Sequence, residues 1–149
     1  MRDFGSLIIF AIIVAAAASS GSSFMPGEWY AALEKPSLTP PNWAFPVAWT
    51  ILYIMIAIAG WLTWRAAGIT PALVVWASGL ILNALWSYVM FGRHDIFLAL
   101  VDLAALWLAV AAFIALAWPI DPRASYLFMP YLAWVSFAAY LNFAVWRLN

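Results

Sequence analysis

The chain has 149 residues, of which 68% are hydrophobic, 18% aromatic and 8% charged, far more apolar side chain than a soluble domain of this size can hide from water. Its net charge is zero with no run of like charges, which argues against a nucleic-acid partner; it has no cysteine, which excludes disulfides, thiolate metal sites and cysteine nucleophiles. The class that remains is an integral, multi-pass membrane protein.

Five apolar stretches, residues 4–20, 46–64, 71–91, 96–118 and 124–146, each come close to the roughly 20 residues that a helix needs to cross hydrocarbon. They are continuous and rich in Leu, Ala and Ile, whereas the strands of a membrane barrel alternate. The expected fold is therefore all-α: a bundle of five transmembrane helices in one domain, 1–149, with its prolines at the span ends and polar punctuation at 65–70, 92–95 and 119–123.

The first stretch, with Arg2 ahead of it and small residues at its end, also has the outline of a cleavable signal peptide. Four further spans favour reading it as the first transmembrane helix. Its Ala15, Ala16, Ala17, Ala18 and Ser19 permit close helix approach, within the chain or in a homodimer. Basic residues do not orient the bundle, since Arg2, Arg65 and Arg123 on one face balance Lys35, Arg93 and Arg147 on the other.

The loop at 21–45 is unusual for a connector. Residues 29–53 hold four of the nine prolines, three of the eleven tryptophans and the single lysine. Pro26 and Glu28 suit the first turn of a short helix, Trp29 and Leu33 share one face of it, and Pro36 stops it. Pro36, Pro40 and Pro41 then stiffen the chain up to Pro46, which a helix beginning just before it tolerates because first-turn amides lack acceptors. The loop reads either as an extramembrane connector or as a lid over a cavity.

Phe45, Trp49 and Tyr53 recur at helical spacing on one side of the second span, and Trp134, Ala138, Leu141 and Asn142 on one side of the fifth. Such stripes are either core packing or two aromatic walls; Trp43, Trp64, Trp118 and Trp146, near span ends, fit an interfacial belt. Asn83, well inside the third span on a face with Gly79 and Ser87, must meet another helix or a ligand, because an unpaired amide in hydrocarbon is costly. Asp102 in the fourth span faces the interior as a functional carboxyl or bonds a neighbouring helix.

Trp29-Tyr30, Leu33, Lys35-Pro36, Pro40-Pro41, Trp43, Phe45-Pro46, Trp49, Tyr53, Asn83, Trp86, Phe91-Gly92, Pro130-Tyr131, Trp134, Leu141-Asn142 and Trp146-Arg147, in this order and at these spacings, resemble the tryptophan-rich sensory protein family. That family includes the mitochondrial translocator proteins, formerly called peripheral benzodiazepine receptors. The resemblance implies a five-helix bundle with a ligand cavity closed by the first loop. It further implies binding of tetrapyrroles such as protoporphyrin IX and haem as ligands rather than required cofactors, sterol or benzodiazepine-type ligands in some members, and homodimers. On this reading the ligand-binding residues are Trp29, Trp49, Tyr53, Asn83, Trp86, Trp134, Ala138 and Leu141. The expected location is a bacterial cell membrane, with an outer membrane as the alternative.

The chain also departs from the family pattern. Ser37 and Leu38 stand where relatives often carry tryptophan, Tyr88 where proline is common, and Phe143 where a proposed sterol motif wants tyrosine, with Tyr140 too far from Arg147 to replace it. For catalysis the inventory is thin. The single His94 lies in a short loop, no metal motif or nucleophile elbow exists, and only light-dependent porphyrin degradation, which the resemblance implies for some members and assigns to Trp49 and Trp134, remains as an enzyme reading. A slow carrier of porphyrins or other hydrophobic ligands is the third alternative; the repeated halves and broken helices of many transporters are not evident.

Overall fold

The computed structural model describes residues 4–149; Arg2, used in the charge count, lies outside them. Its helices are α1 (Phe4–Ser23), α2 (Gly27–Ala31), α3 (Ala44–Ala67), α4 (Pro71–Ser87), α5 (Ile96–Ala117) and α6 (Pro122–Leu148). A π-helical turn, Tyr88–Gly92, prolongs α4. Five of these elements, α1, α3, α4 with its π turn, α5 and α6, are long and apolar enough to cross a membrane.

Local chemistry sets the boundaries. Asp95 Oδ1 accepts from the Leu98 amide and Asp121 Oδ1 from the Arg123 amide, both at 3.0 Å, so each aspartate caps the helix that follows. Asp121 also meets the Arg123 guanidinium at 2.8 Å, and this hydrogen bond and charge hold its carboxyl below the usual range. Pro71 and Pro122 open their helices where no amide is needed. Gly68, at φ 70°, ends α3 in a conformation that other residues adopt only with strain, its amide returning to Trp64 O at 2.7 Å.

One proline departs from expectation. Pro130 lies inside α6, and the helix continues through it although the Tyr126 carbonyl loses its helical donor. The π turn was also not foreseen. It lets the third span reach Gly92, whose missing side chain leaves room for Phe24: a Cβ there would come within 2.9 Å of that ring.

The spans do not pack in sequence order. α1 packs on α3 and α4, α3 on α6, α6 on α5 and α5 on α4, which closes a ring in the order α1, α3, α6, α5, α4. Although α3 and α4 are consecutive, they touch only sparingly across that ring. One contact between them is at Gly60, where the Trp76 indole lies on the bare backbone and donates to Ile56 O at 2.9 Å. A Cβ at residue 60 would fall 2.5 Å from this indole. Gly60→Ala is therefore expected to lower stability by about 1–3 kcal/mol through overpacking, in excess of the roughly 0.5–1 kcal/mol that alanine returns as helix propensity. A melting temperature in detergent equal to or above that of the wild type would show that the contact is not close.

α1 is tied into the ring at both ends. Trp61 Nε1 donates to Ser6 Oγ at 2.9 Å, Ser20 Oγ donates to Ala84 O at 2.6 Å, and Phe10 and Val14 are buried. Its small residues divide: Ala15, Ala16 and Ser19 face outward, whereas Ala17 and Ser20 turn towards α4. α5 and α6 are tied by Ser125 Oγ to Ile114 O at 2.7 Å and by Trp107 Nε1 to Ser136 Oγ at 2.8 Å. Trp43, Trp118 and Trp146, near helix ends, remain substantially exposed, as an interfacial belt requires, whereas Trp64, expected with them, packs against the core beside Phe10 at 6.0 Å.

Candidate functional site

The helices enclose a small cavity. Phe45 and Trp49 of α3 and Trp134 and Ala138 of α6 form two of its sides, Asn83 and Trp86 of α4 and Leu103 and Leu106 of α5 the others. Because α4 and α3 sit across the ring, Asn83 can point inward and be met from both flanks. Tyr53 donates to Asn83 Oδ1 at 2.9 Å, and Asn83 Nδ2 donates to the Tyr131 oxygen at 2.8 Å. Three helices, α3, α4 and α6, are thus joined by one side chain that is 4% exposed. The two roles expected of Asn83, interhelical hydrogen bond and cavity wall, coincide.

The aromatic walls touch. Trp49 stacks on Tyr53 with centroids 5.6 Å apart and meets Trp134 edge to face at 6.3 Å and Tyr131 at 6.4 Å; Phe45 meets Trp134 at 5.9 Å. In this conformation the enclosed volume is about 20 Å³, room for about one water and far below the several hundred Å³ of a ligand pocket. A larger concavity of about 540 Å³, lined by Ile13, Ala17, Trp76, Leu80, Ala84 and their neighbours, lies between α1 and α4 and opens outward from the bundle.

At one end of the ring the first loop is fastened by several contacts. Trp29, in α2, stacks on His94 at 4.1 Å with the rings nearly parallel. Tyr30 meets Phe91 at 5.6 Å, and Phe91 meets Trp86 at 5.3 Å, so an aromatic file runs from the loop to the cavity wall. Burial there raises the Tyr30 hydroxyl above its ordinary pKa. Lys35 Nζ donates to the carbonyls of Tyr30 and Leu33, both at 3.0 Å, capping the C-terminal end of α2. The Asn149 side chain accepts from the Glu34 amide at 3.2 Å and donates to its carbonyl at 2.9 Å.

Of the residues singled out from sequence, Trp49, Asn83, Trp86, Trp134 and Ala138 share the cavity wall, and Tyr53 stands behind it in contact with Trp49 and Asn83. Trp29 and Leu141 are not part of that wall. α2 ends at Ala31, and its Trp29 is engaged by His94 on the loop side; Leu141 is buried a turn beyond Ala138. Leu33 lies, like Trp29, against a small cluster with Val89, Met90, Ala99 and Val145. His94 is exposed, as a loop histidine should be, yet has φ 56° and a ring partner.

Tyr131 and Asn142 were missing from the sequence-based site. Tyr131 is 2% exposed and completes the Asn83 relay; Asn142 accepts from Trp86 Nε1 and donates to Ile96 O, both at 3.0 Å. Positions 131, 134, 138 and 142 share one face of α6, and that periodicity was the signal available for Tyr131. Among the described residues no group of three His, Cys, Asp or Glu side chains gathers as a metal site.

Comparison with known proteins places this architecture. The TspO/MBR family model matches residues 7–147. Protein CrtK of Rhodobacter capsulatus is 41% identical over 154 aligned positions, covering 97% of this chain and 94% of the relative. A tryptophan-rich sensory protein of Cereibacter sphaeroides is 38% identical, covering 99% and 93%, and the human translocator protein 39% identical, covering 87% and 81%. With five membrane-length helices in a ring and a match running from α1 to the end of α6, the chain is an integral multi-pass membrane protein and belongs to the TspO/MBR family.

Proposed function

We propose that this protein is a membrane receptor for tetrapyrroles such as protoporphyrin IX and haem, which bind between the aromatic walls of α3 and α6 beneath the first loop. The observation that carries the reading is the wall itself: flat rings of Phe45, Trp49 and Trp134 face a neutral interior whose single polar lining residue is Asn83. A flat apolar macrocycle suits such walls, each ring contact adding about 0.5–1.5 kcal/mol beyond area burial. Entry requires the Trp49–Trp134 contact to part, because the closed volume admits no macrocycle. Lys35, Arg93 and Arg147, the basic residues on the loop side of the bundle, would attract carboxylate side chains of the ligand. Haem would be held by shape and stacking, since His94 is turned to Trp29 and not to the cavity.

Light-dependent degradation of a bound porphyrin is the second reading. It is favoured by the packing of Trp49 against Trp134 and against Tyr53 and Tyr131, two phenols that can return an electron to an oxidised indole as they give up the phenolic proton. A homodimer is proposed through the outward Ala15, Ala16 and Ser19 of α1, where backbones approach closely. Helical spans fit a cell membrane more simply than an outer membrane.

Titration of tryptophan fluorescence with protoporphyrin IX in the dark is expected to give saturable quenching, weakened severalfold in Trp134→Phe and in Asn83→Ala. Quenching that rises without saturation, as simple partition of the porphyrin into the detergent micelle would give, would sink the receptor. Loss of porphyrin under illumination that needs Trp134 would move the reading to an enzyme.

A further inference from the structure

Two polar groups behind the cavity wall, one in contact with its Trp49 and Asn83 and the other next to its Leu103 in sequence, have hydrogen-bonding capacity that the bundle does not use. The relay runs one way, from the Tyr53 hydroxyl to Asn83 and from Asn83 Nδ2 to the Tyr131 oxygen. The Tyr131 hydrogen is left over. Among the described residues nothing accepts it, and Tyr131 is too deeply buried to donate to bulk solvent. The converse defect is on α5, where Asp102 Oδ2 is shut off from solvent and no donor reaches it.

Helix register brings these defects together. A side chain at Gly79 of α4 would meet Leu106 and Ala109 of α5. These consecutive spans run antiparallel, so one turn along α4, at Asn83, stands level with one turn back along α5, the stretch from Asp102 to Ala105. Asn83 bonds the Tyr131 oxygen at 2.8 Å, which brings the phenol to the same level. Neither α5 nor α4 with its π turn contains a Lys, Arg or His, so the adjacent helix offers the carboxyl no ion-pair partner.

An unused donor beside an unused acceptor, not bonded to each other, is complementary to a group that accepts one hydrogen bond and donates one. An O–H does both. An ester or a hydrocarbon cannot donate, and an ammonium group would satisfy Asp102 but leave Tyr131 without an acceptor. We propose that Tyr131 and Asp102 form a hydroxyl subsite of the cavity, where Tyr131 donates to the oxygen of an alcohol or un-ionised carboxylic acid on the bound molecule and Asp102 Oδ2 accepts its hydrogen. The subsite deepens the receptor reading and rests on it.

The test uses three porphyrins, titrated into the purified full chain at about pH 5, where a propionic acid side chain still carries part of its protons. Protoporphyrin IX dimethyl ester has no peripheral O–H, protoporphyrin IX has carboxylic O–H groups, and haematoporphyrin dimethyl ester has alcohol O–H groups. At least one of the last two is expected to bind about threefold to tenfold tighter than the first; which one gains tells the acid from the alcohol. The gain, read as the ratio of affinities within each variant, should fall to about one in Asp102→Leu and in Tyr131→Phe, whatever either substitution does to binding of the first ester. Tyr131→Phe keeps the ring and carries the test if Asp102→Leu does not fold. Saturable binding with equal affinity for all three, or a gain that survives both substitutions, overturns the subsite and leaves the cavity standing. Absence of saturable binding by any of them overturns both.

Discussion

Truncation of Tyr131 to alanine is expected to cost about 3–5 kcal/mol of stability, the range for removing a large aromatic from a packed interior. The side chain is 2% exposed, and its ring meets Phe128 at 5.1 Å and Trp49 at 6.4 Å, so the hole opens against rigid neighbours that cannot collapse into it. It also accepts the Asn83 amide at 2.8 Å, and its loss takes that donor's partner away inside the membrane. Tyr131→Phe separates the two contributions. It keeps the packing and loses only the hydrogen bond, for which about 1–2 kcal/mol is expected inside a membrane. Thermal unfolding of both variants in detergent checks this; equal shifts would mean that the ring contributes little and that the core is organised elsewhere.

Enlarging Ala138 to leucine is expected to reduce tetrapyrrole affinity by more than tenfold with a smaller effect on the fold. Ala138 lies on the cavity wall beside Trp134, and the closed volume of about 20 Å³ cannot take three further carbons. Overpacking should cost about 1–3 kcal/mol, leaving the bundle folded. The added side chain would occupy the slot between the aromatic walls whenever they part, removing the space a macrocycle needs. Equilibrium titration with protoporphyrin IX checks the affinity and melting temperature the fold. Unchanged affinity would place the ligand outside this cavity, and the outward-opening concavity between α1 and α4 would become the next candidate.

The sequence by itself determined what depends on neighbours within a few residues. Five spans follow from the length of the apolar runs. The burial of Asn83 followed from its depth in an apolar helix. The interior stripes of α3 and α6 were legible because side-chain direction repeats every 3.6 residues.

What lies between helices was decided by tertiary structure. No local rule sets α3 beside α6 and across the ring from α4; that order comes from surfaces that match, such as the bare backbone of Gly60 under the Trp76 indole. The same holds for Trp29, whose helix was foreseen but whose ring partner, His94, lies in a different loop. Pro130 was misjudged because proline's local effect disfavours a helix interior, whereas packing of α6 against α3 and α5 keeps the helix continuous. Tyr131, too, became a site residue only once Asn83 was set opposite it. A sequence shows which groups must find partners, and the free energy of packing five helices at once selects which partners they find.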